Sequence, residues 1–307
     1  MISIIVPCYN EEAIIKIFIK TLEEELSKID EDFELIFIDN NSKDSTFELL
    51  KNNIGKKNAF KIIKLSNYFG KEAAILSGLD ESNGDSAIIM DPDLEDPPDL
   101  IKELIEKWKN GYDVVFTVRE SEHIPLYKKF LKFVFYKILV FSSEEHNKIY
   151  ANSGDFRLID KKIIELVKSM REKTRFLRGL TNYVGYKQTY ISFKREFRKT
   201  GKSKSNFGFL FKYGLDSLFS FSNKPISLIT KFGSLLLIII LIFGIFLLVQ
   251  RLIGSPIEGF TTVLLFIGLL SAFNIFALGI VGEYVSRIYS EVKKRPNYII
   301  EKIESDE

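Results

Sequence analysis

Two long uncharged segments near the C-terminus constrain this chain more than any other feature. Residues 232–249 form a run of 18 residues without a charge, and residues 259–282 form a second run of 24. A helix rises about 1.5 Å per residue, so roughly 20 residues cross a hydrocarbon core of about 30 Å. Core helices of soluble proteins rarely continue so far without a charge. Both segments are therefore predicted to span a membrane.

The residues around these two spans predict their orientation. The connector, residues 250–258, is short and contains Gly254 and Pro256, so spans at about 232–250 and 259–282 would form a hairpin. Positive residues favour the cytoplasmic side of a membrane. Those that flank the hairpin are Lys224, Lys231, Arg287, Lys293, Lys294 and Arg295. We therefore predict a multi-pass protein of the cell (inner) membrane, with its N-terminal domain and both termini in the cytosol.

Composition excludes several other classes of site. The 43 Lys and Arg residues nearly balance the 41 Asp and Glu residues, so the chain has no excess of positive charge for binding nucleic acid. A single cysteine, Cys8, excludes an internal disulfide. With only two histidines, His123 and His146, little is left for a zinc site. Any metal ion is therefore expected to be held mainly by oxygen.

The first 120 residues alternate between short apolar runs and helix-like segments. The predicted buried strands are residues 2–6, 35–38, 60–65, 87–90 and 114–118, and the predicted helices are residues 12–27, 45–53, 71–82 and 98–108. This alternation indicates an α/β fold with a Rossmann-like doubly wound sheet. We predict three parts: a catalytic domain over residues 1–225, the transmembrane hairpin over 226–290 and a cytosolic tail over 291–307.

Ligands of such sheets bind beyond the carboxyl ends of the strands. No G-x-G-x-x-G motif follows the first strand, which argues against a dinucleotide site. Asp91 and Asp93 instead lie two residues apart, in a proline-stiffened loop after the fourth predicted strand. Two carboxylates can hold a hard divalent cation, which in turn binds a substrate's diphosphate. The alternative is a solvated turn, because Asp and Pro favour turns.

Several sequence segments together resemble one protein family. They are IIVPCYNEE at residues 4–12, IDNNS at 38–42, NYFGKEAA at 67–74, DPDLEDPP at 91–98 and GDFR at 154–157. They resemble family 2 glycosyltransferases of the GT-A fold, and within it the polyprenyl-phosphate glycosyltransferases, the group of bactoprenol glucosyltransferases and dolichyl-phosphate mannose synthase. The similarity continues through residues 175–179, 195–204 and 282–296, so it covers nearly the whole chain.

The resemblance implies roles for particular residues. The residues expected at a nucleotide-sugar donor are Pro7, Tyr9, Glu11, Asp39, Lys71 and Asp91. Those expected at an acceptor phosphate are Arg195, Arg198, Ser203 and Lys204. Asp91 and Asp93 are expected to hold Mg²⁺ or Mn²⁺, and Asp155 is expected to be the acceptor-side carboxylate. Asp93 and Asp155 are the residues expected to act in catalysis.

The chain also departs from the family pattern. Asn40-Asn41 stands where the family commonly has Asp-Gly, and Glu95 where it has Gln. Asn41 can adopt the left-handed geometry that glycine allows. These departures leave the identity of the base and sugar open. Pro7 and Tyr9 could also serve only to shape a turn, and Arg195 and Lys204 could be ordinary surface cations.

The implied activity is transfer of a sugar, with UDP-glucose as the first choice of donor, to polyprenyl (undecaprenyl) phosphate with inversion. A phosphate monoester is largely dianionic at neutral pH, so Asp155 is left open as a base or an orienting group. Residues 127–141 and 206–221 are expected to form helices at the membrane interface.

Three alternatives to this activity stay open. One is a GDP-mannose-dependent dolichyl- or polyprenyl-phosphate mannosyltransferase. Another is a processive polysaccharide synthase, although the only tryptophan, Trp108, is not in a Gln-x-x-Arg-Trp motif. The third is a noncatalytic membrane adaptor. Self-association into a homo-oligomer is also left open.

Overall fold

The computed structural model describes residues 1–53, 59–119, 153–170, 172, 177–193, 224–253 and 259–305. The chain divides into two compact units. The first consists of Met1–Gly214 together with Arg295–Glu307, and the second of Leu215–Lys294.

Within the described residues of the first unit, eight strands form one mixed sheet. Their bounds are β1 (Ile2–Cys8), β2 (Phe33–Asp39), β3 (Ala59–Leu65), β4 (Ser86–Ile89), β5 (Val114–Arg119), β6 (Ser153–Asp160), β7 (Gln188–Phe193) and β8 (Ile300–Ser305). The strand order is β7-β5-β6-β4-β1-β2-β3-β8. β1 pairs in parallel with β2 and β4, and β2 with β3. β6 is antiparallel to both β4 and β5, and β8 is antiparallel to β3.

Helices cover the sheet. They are α1 (Ile15–Leu26), α2 (Thr46–Lys51), α3 (Lys71–Asp80), α4 (Ile101–Lys109), α5 (Lys161–Ser169) and α6 (Leu177–Tyr183), with a 3₁₀ turn at Pro98–Leu100 before α4. Every residue of β1 and β2 is buried, as expected of parallel strands packed on both faces. The five predicted strands and four predicted helices are thus confirmed, with differences only at their ends.

The sheet is more mixed than a purely parallel doubly wound sheet. β6 lies between β4 and β5 and runs antiparallel to both. It carries Asp155 and Arg157 within the strand, so its sequence lacks the continuous apolar run that marked the five predicted strands. β6, β7 and β8 were therefore not predicted, and neither were α5 and α6.

Of the predicted cytosolic tail, the part from Arg295 to Glu307 belongs to the first unit. Its strand β8 extends the sheet beyond β3. Just before that strand, the hydroxyl of Tyr298 donates to the carboxylate of Asp80 at 2.5 Å, at the end of α3. The side-chain amide of Asn297 donates to the carbonyl of Glu172 at 3.1 Å. These residues therefore bond to α3 and to Glu172, and β8 forms one edge of the sheet.

The second unit contains two long helices, α7 (Lys224–Leu252) and α8 (Phe260–Val292). They contact each other through the rings of Phe232 and Phe273, whose centroids are 5.4 Å apart. Among the described residues, one helical stretch, Phe266–Val292, is long and apolar enough to cross a membrane, judged by length and composition. The predicted spans fall within these helices except at residue 259, and a hairpin that crosses the membrane twice stays a prediction.

Replacing Tyr298 by Phe tests how the tail is anchored. The variant keeps the ring and loses the hydroxyl that donates to Asp80, so we expect the free energy of unfolding to fall by about 1 kcal/mol. This corresponds to a decrease of roughly 2–4 °C in melting temperature for a domain of this size. Thermal melting in detergent checks it, with exposed Tyr112→Phe as the control. Equal melting temperatures for the two variants would contradict the anchoring role.

Candidate active site

The loops that follow β1, β2, β3 and β4 contribute to one pocket of about 200 Å³. Its lining residues are Pro7, Cys8, Tyr9, Glu11, Asn40, Tyr68, Lys71, Asp91, Pro92 and Asp93. Carboxyl ends of parallel strands meet at one edge of a sheet, which explains why distant segments converge here. The pocket brings together five of the six residues predicted at the donor. The sixth, Asp39, lies beside the lining residue Asn40.

The loops after β1 and β2 hold each other in shape. The backbone N–H of Asn10 donates to Oγ of Ser42 at 3.0 Å, and Oδ1 of Asn10 accepts from the N–H of Lys43 at 2.8 Å. Asn10 and Asn41 have φ values of 53° and 59°. This is the left-handed region that Asn tolerates better than most residues. Asn41 therefore does adopt the left-handed geometry.

Asp39 presents a buried carboxylate at the end of β2. Its Oδ1 accepts from the backbone N–H of Ser42 at 3.2 Å, whereas Oδ2 has no hydrogen-bond partner among the described residues. Burial raises the pKa of Asp39, and the hydrogen bonds from Ser42 only partly oppose this effect. A buried acceptor without a partner is costly. Asp39 can therefore gain from a ligand that donates a hydrogen bond.

Tyr68 is a pocket residue that the sequence analysis missed. Its ring lies against that of Tyr9, with centroids 4.4 Å apart and the planes inclined by 48°. Tyr68 is 54% exposed and lines the pocket, so its ring is accessible to a ligand there. Its place in the segment NYFGKEAA, directly after β3, was the available signal. The two rings give the pocket an aromatic wall.

The acidic loop after β4 is held by an arginine from β5. Asp96 is 1% exposed, and its Oδ1 accepts from Nη2 of Arg119 at 3.0 Å. Burial raises the pKa of Asp96 to about 6, although Arg119 opposes the shift. Within the loop, Oδ1 of Asp93 accepts from the N–H of Glu95 at 3.0 Å, and Leu94 has a φ of 57°. Arg119 thus fixes the loop that carries both predicted metal ligands.

Four charged side chains form an ion-pair chain beside the pocket. Nζ of Lys71 lies 2.7 Å from Oδ2 of Asp91 and 2.7 Å from Oδ2 of Asp155. Nε of Arg178 donates to Oδ1 of Asp155 at 2.6 Å. Each residue pairs with the next in the order Asp91, Lys71, Asp155, Arg178. The structure thereby connects the predicted metal loop to the predicted acceptor-side carboxylate through Lys71. Arg178 was not predicted as a site residue.

Electrostatics among these ion pairs favour the charged forms of Lys71 and Asp155. Burial alone would raise the pKa of Asp155, but Lys71 and Arg178 hold that pKa well below its usual range. Burial likewise opposes the charge on Lys71, and Asp91 and Asp155 outweigh it and raise its pKa. Glu72 differs: burial and the charge of Asp155 raise its pKa to about 7. Its Oε2 accepts from the N–H of Leu177 at 3.3 Å.

A buried arginine sets the position of the strand and helix that carry Asp155 and Arg178. Arg157 on β6 is 2% exposed. Its Nη1 donates to Oγ1 of Thr181 on α6 at 2.7 Å, and its Nη2 donates to the carbonyl of Gly154 at 2.8 Å. These two bonds offset part of the cost of burying the guanidinium. Arg157 therefore joins the start of β6 to the helix that supplies Arg178.

Asp91 and Asp93 are the candidate metal ligands. Among the described residues, no group of three or more His, Cys, Asp or Glu side chains could hold a metal ion. Two carboxylates on a pocket loop nevertheless suit Mg²⁺, which usually binds one or two carboxylates and takes the rest of its ligands from substrate phosphates and water. Both residues line the pocket. The oxygen donors therefore fit a hard cation that arrives with a diphosphate.

Other predicted residues lie outside the described part of the chain. They are the acceptor-phosphate residues Arg195, Arg198, Ser203 and Lys204, and the proposed interfacial segments at 127–141 and 206–221.

The model of glycosyl transferase family 2 matches residues 3–167, and the chain belongs to this family. The chain is 38% identical to an uncharacterized glycosyltransferase of Synechocystis, over 97% of this chain and 94% of that protein. It is 35% identical to the bactoprenol glucosyl transferase of Shigella phage SfII, over 98% and 97%. The crystal structure of glucosyl-3-phosphoglycerate synthase from Mycobacterium tuberculosis with Mg²⁺ and UDP has a TM-score of 0.45 at 17% identity, covering 71% of this chain and 75% of that chain. The family match and the full-length relatives show that the chain is a glycosyltransferase, and its own strands form an α/β mixed sheet.

Substitutions at Arg119 and Asp96 test how the acidic loop is held. Arg119→Met leaves a buried carboxylate without its cation, so we expect a loss of stability on the order of 2–3 kcal/mol. Asp96→Asn is expected to cost less, because burial already disfavours its charge and the amide oxygen can still accept from Arg119. Denaturant midpoints of the two single variants check this order. An Arg119→Met protein as stable as Asp96→Asn would contradict it.

Proposed function

We propose that this protein transfers glucose from UDP-glucose to polyprenyl (undecaprenyl) phosphate, with inversion at the anomeric carbon. Bactoprenol glucosyl transferases that match 97–98% of the chain support the lipid acceptor and the sugar. The single observation that carries the proposal is the ion-pair chain, because it joins the pocket's acidic loop to Asp155 through Lys71. A two-substrate transfer needs a donor site and an acceptor site in contact.

The donor's nucleotide would bind in the pocket. Tyr9 and Tyr68 offer an aromatic face to the base, and Pro7 and Glu11 line the same space. Asp39 would accept a hydrogen bond from the base or ribose through its unpartnered Oδ2. Lys71 carries its positive charge between Asp91 and Asp155 and would attract the donor's diphosphate. These contacts would leave the anomeric carbon facing Asp155.

Asp91 and Asp93 would hold Mg²⁺ or Mn²⁺ together with the diphosphate. The bound cation would offset the negative charge that develops on the leaving nucleoside diphosphate. Asp93 already accepts from the N–H of Glu95, and Arg119 fixes the loop behind it. The protein would therefore bring a preformed pair of carboxylates to the donor, which limits reorganisation when the donor binds.

The acceptor would reach the site from the membrane. We propose that residues 226–290 form a two-span hairpin, that residues 1–225 form the cytosolic catalytic domain and that the tail over 291–307 is also cytosolic. Segments 127–141 and 206–221 would lie at the interface, and Arg195, Arg198, Ser203 and Lys204 would bind the acceptor's phosphate. This arrangement keeps an isoprenoid tail in lipid while its phosphate meets the water-soluble donor.

Two of the alternatives use the same site. A GDP-mannose-dependent mannosyltransferase would differ in the base and sugar that the pocket accepts, and a processive polysaccharide synthase would use a sugar hydroxyl as acceptor. A noncatalytic adaptor would retain the pocket without turnover. The relatives named as bactoprenol glucosyl transferases favour glucosyl transfer to polyprenyl phosphate over the mannosyltransferase, the polysaccharide synthase and the adaptor.

A screen of nucleotide sugars with polyprenyl phosphate tests the reaction. We expect UDP-glucose to give a glucosyl-lipid product, and Asp91→Asn or Asp93→Asn to reduce turnover by roughly a hundredfold or more. Asp99→Asn, an exposed residue just beyond the loop, is the matched control and should stay near wild type.

Each other outcome of the screen has a distinct meaning. Full activity in EDTA, or in both loop variants, would refute the role of the metal. A different preferred nucleotide sugar would replace UDP-glucose as donor. Release of free sugar without a lipid product would refute the acceptor, and no turnover of any donor would favour the adaptor.

Labelling from outside the cell tests the proposed topology. Tags at both termini should be protected, whereas Ser255→Cys in the connector should react with a membrane-impermeant maleimide. The natural cysteine, Cys8, is buried, and burial with the nearby charge of Asp39 raises its pKa, so its background reaction should be low. If the two termini differ in accessibility, the two-span hairpin is wrong.

A further inference from the structure

The surroundings of Asp155 are unusual for a general base. Oδ1 of Asp155 accepts from Nε of Arg178 at 2.6 Å, and Oδ2 lies 2.7 Å from Nζ of Lys71. Its side chain is only 15% exposed. Each carboxylate oxygen therefore faces a cation that belongs to another element of the fold, α3 on one side and α6 on the other.

A base must accept a proton from the group that it activates, and its basicity falls as cations stabilise its ionised form. Two cations within 2.7 Å make Asp155 a poor proton acceptor. The same contacts make it a good anchor, because a carboxylate with two ionic hydrogen bonds fixes both donors in direction. The geometry of Asp155 therefore suits the orientation of Lys71 and Arg178 better than proton removal.

We infer that Asp155 is a positioning residue rather than a general base: it holds Lys71 and Arg178 in place, and Arg178 binds the phosphate of the acceptor. This inference rests on the proposed function, in which the acceptor is a phosphate ester. Arg178 is 28% exposed, and its partner Asp155 lies between it and Lys71, which pairs in turn with the pocket's Asp91. Its guanidinium suits a phosphate, whose oxygens it can bind in pairs.

The transfer balances without a base. An oxygen of the acceptor's phosphate dianion forms the bond to the anomeric carbon, and the bond from that carbon to the donor's diphosphate oxygen breaks. The electron pair leaves with the nucleoside diphosphate. The acceptor loses one negative charge as it becomes a phosphodiester, and the leaving diphosphate gains one. No proton moves, because the second pKa of a phosphate ester is about 6.

Other ionisable groups face Asp155 and must be separated from it in a test. Lys71 from α3 and Arg178 from α6 pair with Asp155 directly. Asp91, in the loop after β4, pairs with Lys71. Glu72, next to Lys71, has its pKa raised to about 7 by burial and by Asp155. A pH profile of the wild-type protein could therefore contain a contribution from Glu72, so the Glu72→Gln variant is measured in parallel.

The first experiment measures kcat/KM for the acceptor against pH, with the full chain in detergent and saturating UDP-glucose. Two acceptors are compared, polyprenyl phosphate and polyprenyl phosphonate, whose second pKa is higher. A dianionic nucleophile predicts a rise to a plateau above about pH 6 for the phosphate. With the phosphonate, the rise in kcat/KM should move to higher pH. The Glu72→Gln variant should show the same rise with the phosphate and the same shift with the phosphonate.

A base that acts on the monoanion predicts the opposite profile. Activity would then fall above the second pKa of the acceptor, because the reactive monoanion disappears. Such a fall, or a profile that does not change between the two acceptors, would overturn the inference while leaving the proposed function intact. No lipid product from the wild-type protein would instead refute the proposed function, and the role of Arg178 with it.

The second experiment separates Arg178 from the donor site. Arg178→Ala is expected to reduce kcat/KM for polyprenyl phosphate by roughly 10- to 100-fold, the effect of losing one charge-assisted hydrogen bond. Calorimetric binding of UDP should stay within about twofold of wild type, because Arg178 lies beyond Asp155 from the pocket. Arg178→Lys should recover only part of the loss.

Lys168→Ala is the control for removal of a surface cation, and melting temperatures confirm folding of every variant. If Arg178→Ala weakens UDP binding as much as acceptor use, Arg178 belongs to the donor site and the inference is wrong. Unchanged kinetics would also overturn it. Asp155→Asn should lower kcat/KM for polyprenyl phosphate, and its kcat/KM should still rise at the same pH as in the wild-type protein. Loss of that rise would show that Asp155 is the base.

Discussion

The ammonium group of Lys71 lies between two carboxylates that come from different parts of the sheet. Asp91 follows β4, Asp155 belongs to β6, and Lys71 begins α3. Without this cation, two carboxylates would face the same space, and like charges in a partly buried site repel strongly. Lys71 therefore allows the acidic loop and β6 to approach each other. The spacing between Asp91 and Asp155 depends on this one side chain.

The parallel half of the fold could be predicted because its strands are buried on both faces and read as apolar runs. β6 could not, since it buries Arg157, whose hydrogen bond to Thr181 exists only once α6 has packed. β8 contains only two apolar residues, Ile300 and Ile303, and its partner β3 lies more than two hundred residues earlier, beyond the two long apolar helices. Local pattern carries no information about such a pairing.

The candidate site follows the same division. Tyr9, Asp91 and Asp93 belong to loops at strand ends, where topology alone predicts convergence, and the pocket does contain them. The partners of Asp155 could not be predicted in this way. Lys71 and Asp155 are 84 residues apart. Lys71 begins α3 and Asp155 belongs to β6, and the two meet only because β6 is inserted between β4 and β5. Arg178 was missed for a similar reason, because only the packing of α6 brings it to Asp155.

The alternating signs along the ion-pair chain also bear on how two anionic substrates can share one site. Asp91, Lys71, Asp155 and Arg178 carry two negative and two positive formal charges, so these four side chains alone offer no excess positive charge to a phosphate. An anionic ligand must then either bring its own cation or attract a cation already held by a carboxylate. A diphosphate that arrives with a divalent ion at Asp91 and Asp93 would satisfy the first condition. A phosphate that meets Arg178 would satisfy the second, because Asp155 keeps the guanidinium in place while it is shared. The two anions would then enter from opposite ends of the chain, with Lys71 and Asp155 between them.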